Sequence, residues 1–243
     1  MNEIDALVEK YGPSFVVAAL DEFLSEARKD RIEKILEQRM IAPTVVLENL
    51  YDPHNGAAVI RSAEAFGLSA VHVVAPAKRF RAASAVTIGA EKWLDVHHHE
   101  NIAQCAKELR SAGFKLCALV PGASLTLEEL PAAEKWALLL GNEQTGLSAE
   151  AVETADETVS LPMWGFSQSF NLSVSAALSL QIAAPARRKQ IGKVGDLSTA
   201  KRAQLRARWY AQGMRGVAGI LDRHASSGVD TDSCVENDSA RSK

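Results

Sequence analysis

The amino-acid sequence predicts an α/β protein built on a mostly parallel sheet. Short apolar runs recur at 44–50, 70–74, 114–120 and 136–140, and the first has the β-branched density of a buried strand. Segments with helical spacing separate these runs, and parallel strands need such covered crossovers because the chain must return to the same end of the sheet. The 243 residues, 47% of them hydrophobic, can bury one main core with small additions.

Residues 1–39 read as a helical arm. Apolar residues recur at helical spacing over Ser14–Leu24, and Ile32, Ile35 and Leu36 form one stripe within Arg28–Arg39. Pro43 closes the arm, and Thr44–Leu50 is the first strand. A loop over Tyr51–Gly56 leads to a helix at Ala57–Phe66, ended by Gly67. Ala70–Val74 is the next strand, Arg79–Ala90 an Ala-rich helical or irregular link, and Lys92–Val96 a short strand. Asn101–Ala112 is a helix stopped by Gly113, followed by strand Phe114–Val120, a short helical piece at Thr126–Leu130 and strand Trp136–Leu140. Gly141–Gly146, GNEQTG, is a sharp polar loop, after which Ser148 caps a short helix over Ala149–Thr154. Glu157–Leu161 is the last strand. The loop beyond it enters a helix that is small or apolar on most faces, with Asn171 as its cap and Ser173, Ser175 and Ser179 keeping it narrow.

After Pro185 the composition turns basic and polar, as in a linker. Thr199–His224 reads as an amphipathic extension in which Gly213, Gly216 and Gly219 argue against one continuous helix, and the Ser-, Asp- and Asn-rich tail from Ser226 as disordered. The expected organisation is an arm at 1–39, a main domain at 40–185, a basic helical extension at 186–224 and a tail at 225–243.

The formal net charge is -3, yet between Arg187 and Arg223 the only acids are Asp196 and Asp222, against a run of arginines and lysines. That asymmetry fits either a polyanion-binding face or a basic solvated surface. Cys105, Cys117 and Cys234 are scattered, without CxxC spacing, which excludes a disulfide framework and suits a reducing compartment. With neither a signal peptide nor an apolar run long enough to span a bilayer, a cytoplasmic protein is expected.

Neither GxGxxG nor GxxxxGKS/T follows a strand, which argues against dinucleotide redox chemistry and nucleotide hydrolysis. His97, His98 and His99 are adjacent rather than spaced on one face, so an exposed loop or strand edge is expected for them. His54, His72 and His224 have no cysteine or carboxylate set nearby in sequence, and no metal centre is assigned. The informative feature is a polar turn after a strand, repeated at 49–61, 140–146 and 161–171. Such loops can converge at the carboxyl ends of neighbouring parallel strands, where open α/β sheets bind ligands.

The segments NLYDPHNGAAVIRSAEAFG at 49–67, LLLGNEQTGLS at 138–148 and LPMWGFSQSFNLSVSAALSL at 161–180 resemble, in order and spacing, the three motifs of the SpoU/TrmH family of SPOUT RNA 2'-O-methyltransferases. The match runs from about Arg31 to Gln190 and includes RIEKILEQRMIAPTVVLENL and the pair Lys92 and Trp93. The resemblance implies a deep trefoil knot near the end of the catalytic domain, S-adenosylmethionine as cofactor, an obligatory homodimer, and methylation of a guanosine ribose in tRNA, at position 18 of the D-loop. It leaves open rRNA or another tRNA nucleotide as substrate, and a noncatalytic RNA-binding or chaperone-like role.

Carried onto this chain, the resemblance implies Asn55, Arg61, Glu143, Ser169 and Asn171 as the catalytic set, with Arg61 beside the ribose. It implies Leu140, Gly141, Leu161, Met163, Ser169 and Phe170 as cofactor contacts. RNA contacts are implied for Arg31, Arg39, Arg187, Arg188, Lys189, Lys201 and Arg202, which can position phosphate oxygens. The chain departs from the family pattern at Gln144, Thr145 and Phe170 and around Gln168, changes that bear on nucleotide placement.

Overall fold

The computed structural model describes residues 3–75, 89 and 92–227. The link expected over 79–90, Gly89 apart, Cys234 and nearly all of the expected tail lie outside the described residues. In chain order the elements are α1 (Glu3–Tyr11), α2 (Pro13–Leu20), α3 (Glu26–Gln38), β1 (Thr44–Glu48), α4 (Pro53–Ala65), β2 (Ala70–Val74), β3 (Asp95–His99), α5 (Ile102–Ser111), β4 (Phe114–Leu119), β5 (Leu125–Thr126), β6 (Lys135–Leu140), α6 (Ala149–Thr154), β7 (Glu157–Ser160), α7 (Leu172–Ile191), α8 (Thr199–Ala211) and α9 (Val217–Ser226).

Two compact units result: Gln38–Asp196, and Met1–Glu37 together with Leu197–Lys243. The first division falls within two residues of the expected boundary at 39, and the second lies at 196 where 185 was expected. The arm and the distal extension share one unit, whereas 186–196 stay with the sheet because α7 does not stop at Pro185. It runs on to Ile191, where Gly192 takes a left-handed φ of 63° and its N–H bonds back to the carbonyls of Arg188 and Lys189. Pro185 sits on an exposed face of α7.

The larger unit is a parallel sheet of seven strands in the order β3-β2-β1-β6-β4-β7-β5. Alternation along each strand sorts side chains between two cores. Val45 and Leu47 of β1, Val71 and Val73 of β2 and Leu138 and Leu140 of β6 face Val59, Ile60 and Ala63 of α4 and Leu172, Ala176 and Leu180 of α7. Val46, Val74, Ala137 and Leu139 face the other way, onto Ile102, Cys105, Ala106 and Leu109 of α5 and Ala151 of α6. All five residues of β1 are buried, as a central strand covered on both faces requires.

Local chemistry accounts for the differences from the expected elements. α4 begins at Pro53 instead of Ala57 because the Asp52 carboxylate accepts the N–H of His54 and Pro53, lacking an N–H, fits the first helical turn. β3 lies at 95–99 instead of 92–96, since its ladder with β2 pairs Ala70 with Asp95 and Val74 with His99. The histidine triplet is therefore strand. The two-residue β5 was not anticipated.

The smaller unit packs α2 against α8 and α9, and α1 against α8. Val16, Leu20, Leu205, Trp209 and Leu221 are buried in it. Arg206 of α8 holds Glu33 of α3 through Nε at 2.5 Å and Nη2 at 2.7 Å, a bidentate geometry that fixes direction as well as charge. α8 and α9 are separate helices, and Gly213 and Gly216 between them have φ of 80° and 68°. Among the described residues no helix is long and apolar enough to cross a membrane.

Several residues assigned to RNA make hydrogen bonds within the chain. Arg39 is only 1% exposed. Its guanidinium donates to the carbonyls of Glu64 (3.2 Å) and Leu68 (2.8 Å) and to Glu64 Oε1 (2.6 Å), tying the end of α3 to the end of α4. Arg188 donates to the carbonyls of Val194, Gln38 and Phe66, and Arg187 to those of Ala132 and Ala133. The resemblance gave Arg39 to RNA, whereas in the fold its guanidinium is taken up by these carbonyls and by Glu64. Arg39→Ala is expected to cost about 3 kcal/mol by removing one partner of a buried pair. A matching fall in denaturant midpoint checks this, whereas weaker RNA binding at unchanged stability would restore Arg39 to the RNA surface.

Candidate active site

β1, β6, β4 and β7 are consecutive in the sheet, so the chain leaves all four at one edge. Leu50–Asp52 leads from β1 into α4, Gly141–Leu147 from β6 to α6, and Leu161–Phe170 from β7 to α7. The three polar loops thus meet at the carboxyl ends of adjacent parallel strands, the usual ligand crevice of an open α/β sheet. Leu119 and Val120 at the end of β4 complete it.

A line of hydrogen bonds runs across these loops. Asn171 caps α7, its Oδ1 accepting from the N–H groups of Ser173 (2.8 Å) and Val174 (3.4 Å) and from the Ser173 hydroxyl (2.6 Å). Its amide Nδ2 donates to Asn55 Oδ1 at 3.1 Å. Asn55 in turn donates from Nδ2 to Glu143 Oε1 at 2.6 Å. Both amide orientations are determined by chemistry: an ionised carboxylate only accepts, so Asn55 must present its NH2 to Glu143, and the helix N-terminus only donates, so Asn171 must present its oxygen there. One polarised path joins the three loops.

The loop carrying Glu143 is braced twice. Asn142 Oδ1 accepts from the N–H groups of Gln144 and Thr145, both at 2.8 Å, while its Nδ2 donates to Thr145 Oγ1 at 2.8 Å. Glu48, only 4% exposed at the end of β1, accepts from the backbone N–H of Ser148 (2.8 Å) and from its hydroxyl (2.7 Å), and Ser148 Oγ also caps α6 through Ala151 N (3.1 Å). Gly141 is required where the loop folds back on itself, since a Cβ there would lie 2.0 Å from the backbone of Gly146 and Leu147. Asn142 and Glu48 were not singled out from sequence. A charged residue ending the otherwise apolar run TVVLE was the available signal for Glu48.

The loops enclose a cavity of about 620 Å³, within the usual range for small-molecule sites. Leu140, Gly141, Leu161, Met163, Ser169 and Phe170 all line it, as do Glu143 and Asn171. Leu119, Val120, Pro121 and Gln168 also line it and were not assigned from sequence. Apolar side chains form one wall, and the backbone and side chains of 141–146 supply a polar one. Asn55 reaches this group through its bonds to Glu143 and Asn171.

Arg61 stands apart. It follows Asn55 by six residues on α4, about 9 Å along the axis and on another side of the helix. There it is exposed with His54 and Ala58, and it does not line the cavity. Of the RNA set, Arg31 and Lys189 are exposed, and Arg202 is ion-paired with Glu33 (3.3 Å) and Glu37 (3.5 Å). Lys201 is half-buried in the first turn of α8.

On the other face of the sheet the structure corrects the reading of the histidines. His99 is buried on β3 instead of exposed, and His72 lies against it and Cys105, contacts that sequence neighbours do not reveal.

Residues 42–181 match the SpoU rRNA Methylase family. The chain is 34% identical over 198 residues to a tRNA (guanosine(18)-2'-O)-methyltransferase of Borreliella burgdorferi, covering 81% of this chain and 90% of that protein. In fold it is similar to the A. aeolicus TrmH/SpoU tRNA modifying enzyme, with TM-score 0.68 and 28% identity over 76% of this chain and 95% of that one. It is also similar to the SpoU methyltransferase AviRb from Streptomyces viridochromogenes, solved in complex with AdoMet, with TM-score 0.55 and 24% identity over 66% and 62% of the two chains. An α/β parallel sheet that gathers three ordered motifs at one edge, together with these likenesses, makes the chain a member of the SpoU/TrmH family of SPOUT methyltransferases.

Proposed function

We propose that this chain transfers the methyl group of S-adenosylmethionine to the ribose 2'-hydroxyl of a guanosine in tRNA, at position 18 of the D-loop, as a cytoplasmic homodimer. The observation that carries the reading is the hydrogen-bonded path from α7 through Asn171 and Asn55 to Glu143 beside the cavity. Its substrate rests on the family and on the relative named for guanosine 18 of tRNA.

The residues present fit the cofactor. Leu140, Leu161 and Met163 give an apolar wall for an adenosine, and the tightly turned 141–146 loop gives backbone groups for its polar edge. The methyl sulfonium, when bound, supplies an already activated carbon, which leaves the protein to align the acceptor oxygen and stabilise developing charge. Ser169 and Phe170 bound the cavity on the α7 side. Glu143 bonds Asn55 through one oxygen and keeps acceptor capacity for the substrate side. Arg61 is a permanent donor with no acceptor, so its role is to hold a ribose or phosphate oxygen and stabilise negative charge; the hydroxyl proton goes to a carboxylate or phosphate oxygen. Arg31 and Lys189 are the exposed cations that remain from the proposed RNA set.

A second reading, methylation of rRNA or another tRNA nucleotide, is favoured by the rRNA methylase family that the chain matches and by Gln144, Thr145 and Phe170 on the cavity wall, where the chain departs from the pattern it resembles. Product mapping by nucleoside mass spectrometry, with separate unmodified tRNA and rRNA pools, decides between them. Modification at tRNA guanosine 18 is expected; a different mapped ribose rejects the site, and no product with well-folded RNA rejects the activity. Arg61→Ala is expected to lower methyl transfer by about 10²- to 10⁴-fold and tRNA affinity far less. Equal loss of both would make Arg61 a binding residue.

The dimer rests on exposed apolar side chains next to the cavity. Trp164 and Phe166 are 92% and 108% exposed, and Val174 and Leu178 lie one turn apart on the outer side of α7 at 43% and 38%, a grouping that marks an interaction surface. Light scattering is expected to give the mass of two chains, and Leu178→Glu a monomer without activity. A stable monomer that methylates tRNA would overturn this assembly.

A further inference from the structure

We propose that His72, His99 and Cys105 form a binding site for a single divalent transition-metal ion of the zinc type, between the sheet and α5. The three come from β2, β3 and α5, and their candidate ligand atoms all lie within 4.8 Å of one another. All three residues are buried, at 6%, 3% and 0% exposure. Two imidazoles and a thiolate are a donor set that zinc takes in tetrahedral geometry, leaving a fourth position for water.

His72 Nδ1 and His99 Nε2 face each other at 2.9 Å. One ring therefore donates a proton to the other in the metal-free chain. Tetrahedral zinc, with bonds of about 2.0–2.1 Å to nitrogen and 2.3 Å to sulfur, sets its ligand atoms roughly 3.3–3.6 Å apart. The pair must open by roughly half an ångström, a rotamer-scale adjustment. Both lone pairs must then point inward, so the shared proton moves to the outer nitrogen of the ring that carried it.

For His99 that outer nitrogen is Nδ1, which is buried without a hydrogen-bond partner and lies 3.7 Å from Glu108 Oε2. A carboxylate behind the distal nitrogen of a ligating histidine is the usual way such a ring is oriented. The feature that is unsatisfied in the metal-free pair is thus the one a metal would use. Cys105 ligates as a thiolate, so binding releases one proton, from sulfur.

Access is from the sheet edge. β3 is an outer strand, and half-buried His97 stacks on His72 with ring centroids 4.8 Å apart, next to exposed His98. A bound ion ties β2, β3 and α5 together at the end of the sheet. Sequence spacing concealed the set because no two ligands stand in a short motif.

Full-length protein freed of metal by chelation is titrated with Co(II) and with Zn(II). The expected results are a single equivalent bound, sulfur-to-cobalt charge-transfer absorption, and a zinc X-ray absorption spectrum fitted by one sulfur and two imidazoles. Cys105→Ser is expected to remove the charge-transfer band, and Glu108→Gln to weaken binding about 10- to 100-fold while keeping sulfur in the shell. Cys117→Ser leaves both unchanged. A wild-type zinc shell of nitrogen and oxygen alone, or binding by Cys105→Ser as tight as by the wild type, would put the ion elsewhere and overturn the site. Absence of binding would leave the two imidazoles as a plain hydrogen-bonded pair and overturn it equally.

Discussion

The line of hydrogen bonds from Asn171 through Asn55 to Glu143 is the interaction on which the candidate site depends. Asn55 stands in the first turn of α4, Asn171 caps α7 and Glu143 lies in the loop after β6, and each follows a different strand of the same parallel sheet. Strands can align loops only at their roots; the last several ångströms are set by these amides. Because the direction of each bond is imposed by a helix N-terminus at one end and a carboxylate at the other, the path admits one arrangement. Glu48 performs a similar task lower down, joining the end of β1 to the start of α6 with two bonds from Ser148. The Glu48 link is part-buried, where a satisfied polar group holds its geometry more firmly than the exposed line from Asn171 to Glu143.

Much of this was legible in the chain because the signals were local. Strand Ala70–Val74 is observed as read, and the caps at Asn171 and Ser148 do what their residue types suggest. The Gly-rich turn at 141–146 had to be tight, and a Cβ at Gly141 has nowhere to go. The six residues assigned to cofactor contact all face one cavity, although their motif assignment came from a family resemblance, since composition and periodicity alone indicated only loops at strand ends.

What was not legible depended on distant partners. Arg39 ends an amphipathic helix and reads as a solvated cation, yet the carbonyls of Glu64 and Leu68 draw it inside. Arg187 and Arg188 look like a basic patch in sequence, and the fold brings backbone carbonyls of Ala132, Ala133, Gln38 and Phe66 to their guanidinium groups. The proline in α7 suggested a boundary, but a proline on an exposed face costs the helix one bond without forcing a break. His72 and His99 illustrate the same limit: only pairing of β2 with β3 brings 72 and 99 together across 27 residues of chain. Arg61 is the converse case, a residue assigned firmly by motif that the fold of one chain leaves off the cavity wall.

The most direct test of a site organised by that path is a double-mutant cycle between Asn171→Ala and Glu143→Ala, read by single-turnover methyl transfer under conditions where every variant is folded. No hydrogen bond joins the two side chains directly among the described contacts, and Asn55 bonds to both. If the path acts as a unit, the double variant is no slower than the slower single variant and the coupling is about 1 kcal/mol or more. Strict additivity of the two losses would contradict the account, because it would mean that each residue contributes alone and that the line of bonds between them does not organise the site.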